Sequence, residues 1–301
     1  MSPSGERAAV LGLCALAGLR LFVLAAAFPL FNNVDEHVHF DLVLRYAARS
    51  VPRGLEGFSP QASRLIELYA SPEYFFSEGK PVPLPPWSVP GIERTEGFRR
   101  AAAHWVSRVN HDATQPPVYY AIAASWYRLG ARVGLKEGSS LYWIRFLDVF
   151  LYAALIWLSF LLVGRIYPGR EDLRLGAPFL LAFFPQSAFY SITNDALSPL
   201  IGALAFYSAV EIGLGAPTTL LFCAGAGLAC AAAFLTSGRL IAGCLVPFLV
   251  LYLDGLAVIL SKAPAWVFWA ALVLIAVVAC GSELSLARPV FASPYNWFHL
   301  P

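Results

Sequence analysis

Seven long apolar runs constrain this chain more than anything else in it. They fall at about 8–30, 141–164, 174–192, 196–214, 217–236, 240–260 and 264–282. Each approaches the ~20 residues that a helix needs to cross the hydrocarbon core of a bilayer. Within lipid every backbone amide and carbonyl must find its partner inside the chain, which leaves helices or closed barrels. Runs of this length predict helices. The expected fold is therefore all-α, a polytopic transmembrane helix bundle of about seven spans. Composition agrees: 58% of the residues are hydrophobic and 13% charged, against about 25% charged in a soluble domain. Trp and Tyr gather near the ends of the runs, as in an interfacial belt. A net charge of +2 gives no reason to expect nucleic acid as a partner. Cys14, Cys223, Cys230, Cys244 and Cys280 all sit inside apolar runs without metal-ligand spacing, and read as small core- or lipid-facing residues.

The first run is too long for the apolar part of a signal peptide and has no small-x-small cleavage site before Asn32, so it is expected to stay as a span. Arg7 ahead of it places the N-terminus inside. A polar stretch, 31–140, follows; it is rich in proline, charge and aromatics, with Pro81, Pro83, Pro85, Pro86, Trp87 and Trp105 among them. Within it, 117–135 is apolar but carries Arg128 and Arg132 on one helix face. A charge at mid-membrane costs at least ~2.5–3.5 kcal/mol, which a basic amphipathic helix on the surface avoids. Seven spans then leave Arg165, Arg170 and Lys262 inside, as the positive-inside rule asks. Eight spans, the alternative, would put that arginine loop outside. The expected organisation is a transmembrane module over 1–282, whose 31–140 loop is extracytoplasmic and carries juxtamembrane helices. An extracytoplasmic tail over 283–301 would follow, as a truncated continuation of the module.

The chemistry concentrates just after the first span, in Asp35-Glu36-His37-Val38-His39-Phe40-Asp41. From about Asp35 to Arg49 the pattern is helical, with Val38, Leu42 and Tyr46 on one face and His37, Asp41 and Arg45 on another. Asp35 and Glu36 would sit at the helix N-terminus, where the dipole favours carboxylates. The ordinary reading is an N-cap and a solvated face. Under the seven-span topology, however, Asp35-Glu36, Arg145, Asn194-Asp195 and Arg239 all reach the outer membrane boundary. Ionisable groups at that depth usually face a bundle interior or cavity. Carboxylates beside arginines suit a reaction on a phosphate-bearing lipid: guanidinium groups hold the phosphate and a carboxylate takes a proton. Singly, each has a plainer use, since Arg145 or Arg239 could snorkel and Asp195 could cap a helix. His37, His39, Asp35 and Asp41 are close in sequence but spread over different faces, so one ion cannot easily gather all four. No metal or other cofactor is expected.

With these residues in view, the chain resembles the GT-C superfamily of membrane glycosyltransferases, which use polyprenyl-phosphate sugars. Asp35-Glu36-x-x-His39-Phe40 looks like its first-loop motif. Gln115-Pro116-Pro117-Val118-Tyr119-Tyr120 is similar to the segment opening a second juxtamembrane helix, and Trp143-Ile144-Arg145 to the arginine of the second span. Phe184-Pro185 and Thr193-Asn194-Asp195-Ala196 are similar to the third-span proline and second acidic site. Leu235-Thr236-Ser237-Gly238-Arg239 resembles a Leu-Thr-Lys segment, with Ser237 where lysine is usual. The likeness covers about 30–240, in order and spacing; protein O-mannosyltransferases and lipid A aminoarabinose transferases are of this type.

The resemblance implies transfer of a sugar from a polyprenyl-phosphate carrier to a glycan, lipid or protein acceptor. It would run with inversion, at the outer face of a bacterial plasma membrane. Asp35 would be the base, with Glu36 and His39 orienting it. Arg145 and Arg239 would hold the leaving phosphate, and Asn194, Asp195, Gln115 and Tyr119 would line the substrate. Trp87, Trp105 and Tyr74 would offer sugar-stacking surfaces. Family members commonly continue past seven spans, so this chain is a minimal or truncated member or works with a partner subunit. The rival reading is a non-enzymatic lipid-sugar transporter or scaffold; the absence of an inverted repeat counts modestly against a transporter.

Overall fold

A computed structural model describes residues 2–32, 35–71, 83–184, 187–214, 273 and 294–300. The fold is all-α. Its helices are α1 (Pro3–Ala27), α2 (Glu36–Ala47), α3 (Pro60–Tyr69), α4 (Glu96–Ser107), α5 (Val118–Arg132), α6 (Glu137–Ile166), α7 (Glu171–Phe183) and α8 (Ser198–Gly213), with short 3₁₀ turns between them. Among the described residues there is no strand, only an isolated antiparallel bridge between Gly57 and Val109. Two described helices, α1 and α6, are long and apolar enough to cross a membrane. The runs at 217–236, 240–260 and 264–282, Arg239 and Tyr74 lie outside the described residues, apart from the single position Val273.

The chain divides into two compact units. The first comprises Met1–Arg20, Phe150–Gln186 and Asp195–Ser285. In it, α7 starts ahead of the run expected to span 174–192 and stops at Phe183, part-way along it. Pro185 explains the stop: a residue before proline is driven out of the α region, and Phe184 is extended, at φ −67° and ψ 136°. The freed carbonyls at the end of α7 are taken by side chains. Arg20 donates to Ala182 O at 2.6 Å, and the Tyr152 hydroxyl donates to Leu181 O. Arg165 pairs with Glu211 through two bonds of 2.5 and 2.6 Å, and Arg174 with Glu6 at 2.5 Å.

The second unit comprises Leu21–Val149, Ser187–Asn194 and Leu286–Pro301, and holds the polar loop. α3 starts on Ser59, whose hydroxyl accepts from the Ala62 amide, with Pro60 in the first turn. α4 starts in the same way on Thr95. α2 is the centre of the unit: Val38, Phe40, Leu42, Val43 and Leu44 are all buried, and α3 and α5 pack on it. The basic segment after Pro117 forms α5, whose 15 residues reach roughly 22 Å, short of a ~30 Å hydrocarbon core. Arg128 turns to the polar loop and caps α2, donating to Ala47 O at 3.0 Å and Tyr46 O at 2.7 Å. α5 meets α6 through Trp126 and Trp143, whose rings lie parallel 4.3 Å apart while each indole N–H donates to the other's carbonyl.

Asp41 differs from the expected solvated face. It is fully buried and accepts from Ser59 N (2.9 Å), Arg45 Nε (3.0 Å) and Asn110 Nδ2 (3.0 Å). Arg45 continues to Glu56 and to the carbonyl of Gly57. Gly57 must be glycine: a Cβ there would lie 2.2 Å from Val106 O. The loops on either side of α3 and α4 are thus pinned to α2 by its own polar residues.

Candidate active site

Asp35 precedes α2 in the left-handed conformation, φ 66°. Asp tolerates this region better than most residues. Its carbonyl accepts the Val38 and His39 amides, but its side chain makes no capping bond. The carboxylate is about half exposed and lies 3.5 Å from His111 Nε2. The plain capping role considered for Asp35 is therefore filled by its backbone alone.

Glu36 is the opposite case. It is buried, and both oxygens are saturated: Oε1 accepts from Arg145 Nε (2.7 Å) and Ile192 N (3.0 Å), Oε2 from Arg145 Nη2 (2.7 Å) and Phe31 N (2.8 Å). Arg145 is equally committed. Besides Glu36 it donates to Ala25 O, Phe28 O and Pro29 O, at 3.1, 2.5 and 2.9 Å. A guanidinium has five N–H donors, and all five are spent on the end of α1 and the start of α2. None is left for a phosphate. In this geometry Glu36 and Arg145 hold the backbone around Asp35. Asp148, one turn further along α6, is also fully buried, and neither of its oxygens has a hydrogen-bond partner among the described residues.

A second network joins residues from three segments. His39 Nδ1 lies 2.7 Å from the Tyr120 hydroxyl, and its Nε2 lies 3.7 Å from Asp112 Oδ2. Gln115 Nε2 donates to Asp112 Oδ1 (3.1 Å), and Asn194 Nδ2 donates to Gln115 Oε1 (3.4 Å). The sequence-expected His39, Gln115 and Asn194 are thereby connected through Asp112, which was not expected. Tyr119 is fully buried with its ring edge-on to Tyr120, and burial pushes its phenol well above the ordinary range. Asp195 is exposed in the 3₁₀ turn Asn194–Ala196.

No protein-family model, curated protein or solved structure matches this chain.

The residues missed in the sequence are Asn110, His111 and Asp112. Asn110 is buried, and its side chain donates to both Val38 O and Asp41 while accepting the Asp112 amide. This seats the loop on α2, bringing His111 to Asp35 and Asp112 to His39. The available signal was a polar triplet four residues ahead of Pro116-Pro117. Among the described residues no three His, Cys, Asp or Glu side chains converge as metal ligands would.

Proposed function

We propose that this chain is a GT-C-type membrane glycosyltransferase, taking a sugar from a polyprenyl-phosphate carrier to a glycan, lipid or protein acceptor. The observation that carries the reading is Asp35: a half-exposed carboxylate, held left-handed, not engaged in capping, and adjoining a rigidly built ion pair. In the reaction Asp35 takes the proton of the acceptor hydroxyl. The acceptor oxygen bonds to the anomeric carbon from the face opposite the phosphate. The carbon–oxygen bond to phosphate breaks, its electron pair leaving with the polyprenyl phosphate, so the configuration inverts. His111 Nε2, 3.5 Å from the Asp35 carboxylate, positions it. Glu36 and Arg145 fix the loop that presents it. Arg239 is the remaining candidate for the leaving phosphate, with Asp195 for acceptor or sugar. The topology that serves this chemistry has about seven spans, the N-terminus inside and the 31–140 loop outside, in a plasma membrane.

The test is sugar transfer by purified protein from a polyprenyl-phosphate donor, comparing wild type with Asp35→Asn. Transfer that survives the substitution unchanged removes Asp35 from the chemistry. Absence of transfer from every donor offered, by well-folded wild type, favours the scaffold reading instead.

A further inference from the structure

The second unit holds an open cavity of about 620 Å³, well away in sequence from Asp35. It is walled by α3, by the two 3₁₀ turns Pro86–Ser88 and Ile92–Arg94, and by the first residue of α6. Its size is in the range of small-ligand sites, about 300–1,000 Å³. Its chemistry is mixed in a particular way. One wall is aromatic: Trp87 stacks on buried Tyr69 at 5.4 Å and stands perpendicular to Tyr295 at 5.3 Å, which holds the indole in place while it stays partly exposed to the cavity. The opposing groups are charged. Arg64 makes a fork to Glu93 at 2.7 and 2.9 Å and also reaches Glu137 at 3.2 Å.

The charges cancel. Arg64 and Arg94 face Glu93 and Glu137, two positive against two negative. The Arg64 guanidinium holds the Glu93 carboxyl below its ordinary range, so the pair stays ionised. An anionic ligand would meet the two glutamates and a cationic one the two arginines, and neither gains a net field. Arg64, Glu93 and Glu137 are all partly exposed, at 38%, 41% and 49%. Their carboxylate lone pairs can still accept from a ligand's hydroxyls. A neutral molecule with an apolar face and a rim of hydroxyls matches every wall. Its C–H face would lie on the electron-rich face of the indole, and its hydroxyls would donate to the carboxylates.

We infer that this cavity is a binding subsite for a neutral saccharide, with Trp87 as the platform and Glu137 and Glu93 as hydroxyl acceptors. Its use as a hold for the acceptor glycan rests on the transferase reading; the binding does not.

The experiment uses the full chain purified in detergent, titrated with neutral di- to tetrasaccharides of several hexose and pentose types. Intrinsic tryptophan fluorescence and saturation-transfer NMR read the binding. At least one series should saturate, with the strongest transfer to ring C–H protons and little response to added salt. Trp87→Ala should weaken it by about tenfold or more, a loss of ~1.4 kcal/mol. Because Trp87 also packs on Tyr69 and Tyr295, Val89→Trp provides a second variant. Val89 lines the cavity and is partly exposed, so the larger side chain fills the space without removing a core contact; it should abolish binding with the melting temperature intact. Leu55→Ala, at an exposed position outside the cavity lining, should bind as wild type does. No saturable binding of any neutral saccharide, binding undiminished in both variants, or salt-sensitive binding of charged glycans alone would each overturn the inference. Saccharide binding without transfer would sink the transferase reading and leave the subsite standing. Transfer without saccharide binding would do the reverse.

Discussion

Glu36 and Arg145, 109 residues apart, meet as a two-point ion pair with both bonds at 2.7 Å. The pair also closes a structural circuit. Arg145 caps the end of α1 through three carbonyls, and Glu36 takes the amides of Phe31 and Ile192. Arg145→Lys is therefore expected to destabilise the fold, because an ammonium has three donors and no fork. Lys keeps the charge but leaves at least two of the five buried acceptor contacts unmet, each costing roughly 1–3 kcal/mol, so the Lys variant should melt well below wild type in detergent. If Arg145 instead held the leaving phosphate, Lys would leave the melting temperature intact and raise only the KM for donor lipid. That outcome would discard the holding role.

Asp35→Asn should separate activity from stability cleanly. Asn tolerates the left-handed conformation as Asp does, and no capping bond is lost. What goes is the attraction of a carboxylate to the helix N-terminus, worth about 0.3–1 kcal/mol, and its half-exposed contact with His111. General-base catalysis contributes about 10²–10⁴-fold, so kcat for transfer should fall by that order while the melt moves little. His111→Gln should give a smaller loss, since it acts on Asp35 and not on the acceptor.

Asp41→Asn reverses the expectation from sequence, where Asp41 lay on a solvated face. The carboxylate is fully buried, with three donors aimed at its two oxygens. An amide NH₂ in place of one oxygen turns at least one of those contacts donor against donor and removes the buried charge that faces Arg45. A buried polar group left unsatisfied costs roughly 1–3 kcal/mol. Thermal melts and proteolysis of the 51–57 and 108–115 loops should both show the loss. A variant as stable as wild type would mean that Asp41 does not organise these loops.

The sequence carried local facts well and tertiary ones poorly. The onset of α2 behind Asp35 and the apolar lengths of α1 and α6 follow from helical periodicity and dipole chemistry, which act within a few residues. Arg145 was visible as a charge in an apolar run, but its partners were not, because they lie on two other segments. The same holds for Asn110-His111-Asp112: a polar triplet in a loop gains meaning only when Asn110 is seated on Val38 and Asp41. The run at 174–192 holds a helix end that hydropathy does not mark. Its hydropathy is continuous, but Pro185 sets the backbone of Phe184, and a hydropathy count does not register that.

The proposed topology predicts opposite labelling of two exposed positions. A cysteine at Ser88, in the loop between α3 and α4, should react with an impermeant maleimide added to intact cells. A cysteine at Gly169, exposed and with open space around its Cα between α6 and α7, should react only after permeabilisation. Labelling of position 169 from outside would remove the seven-span arrangement: with Ser88 also labelled from outside it means a further crossing between α4 and α6, and with Ser88 protected it inverts the chain and places Asp35 on the cytoplasmic side.

His37 gives a prediction in pH. Its imidazole stacks on Phe58 at 5.8 Å and meets the edge of Trp105 at 5.3 Å. Burial, and then the nearby Arg108, hold its pKa below the ordinary value of 6.5; the other charges facing it are Asp35, His111 and Glu36. The folded state therefore binds its proton less readily than the unfolded chain. Between the folded pKa and about 6.5 the unfolded state carries more of the proton, so stability rises with pH across that window. The contribution is fully present above about 6.5 and is lost as pH falls towards the folded pKa. His37→Phe keeps an aromatic ring against Phe58 and Trp105 but cannot titrate. Melting temperatures measured from about pH 5 to about pH 8 should fall more steeply on the acid side for wild type than for the variant. Parallel curves would show that another group sets the acid sensitivity of this loop.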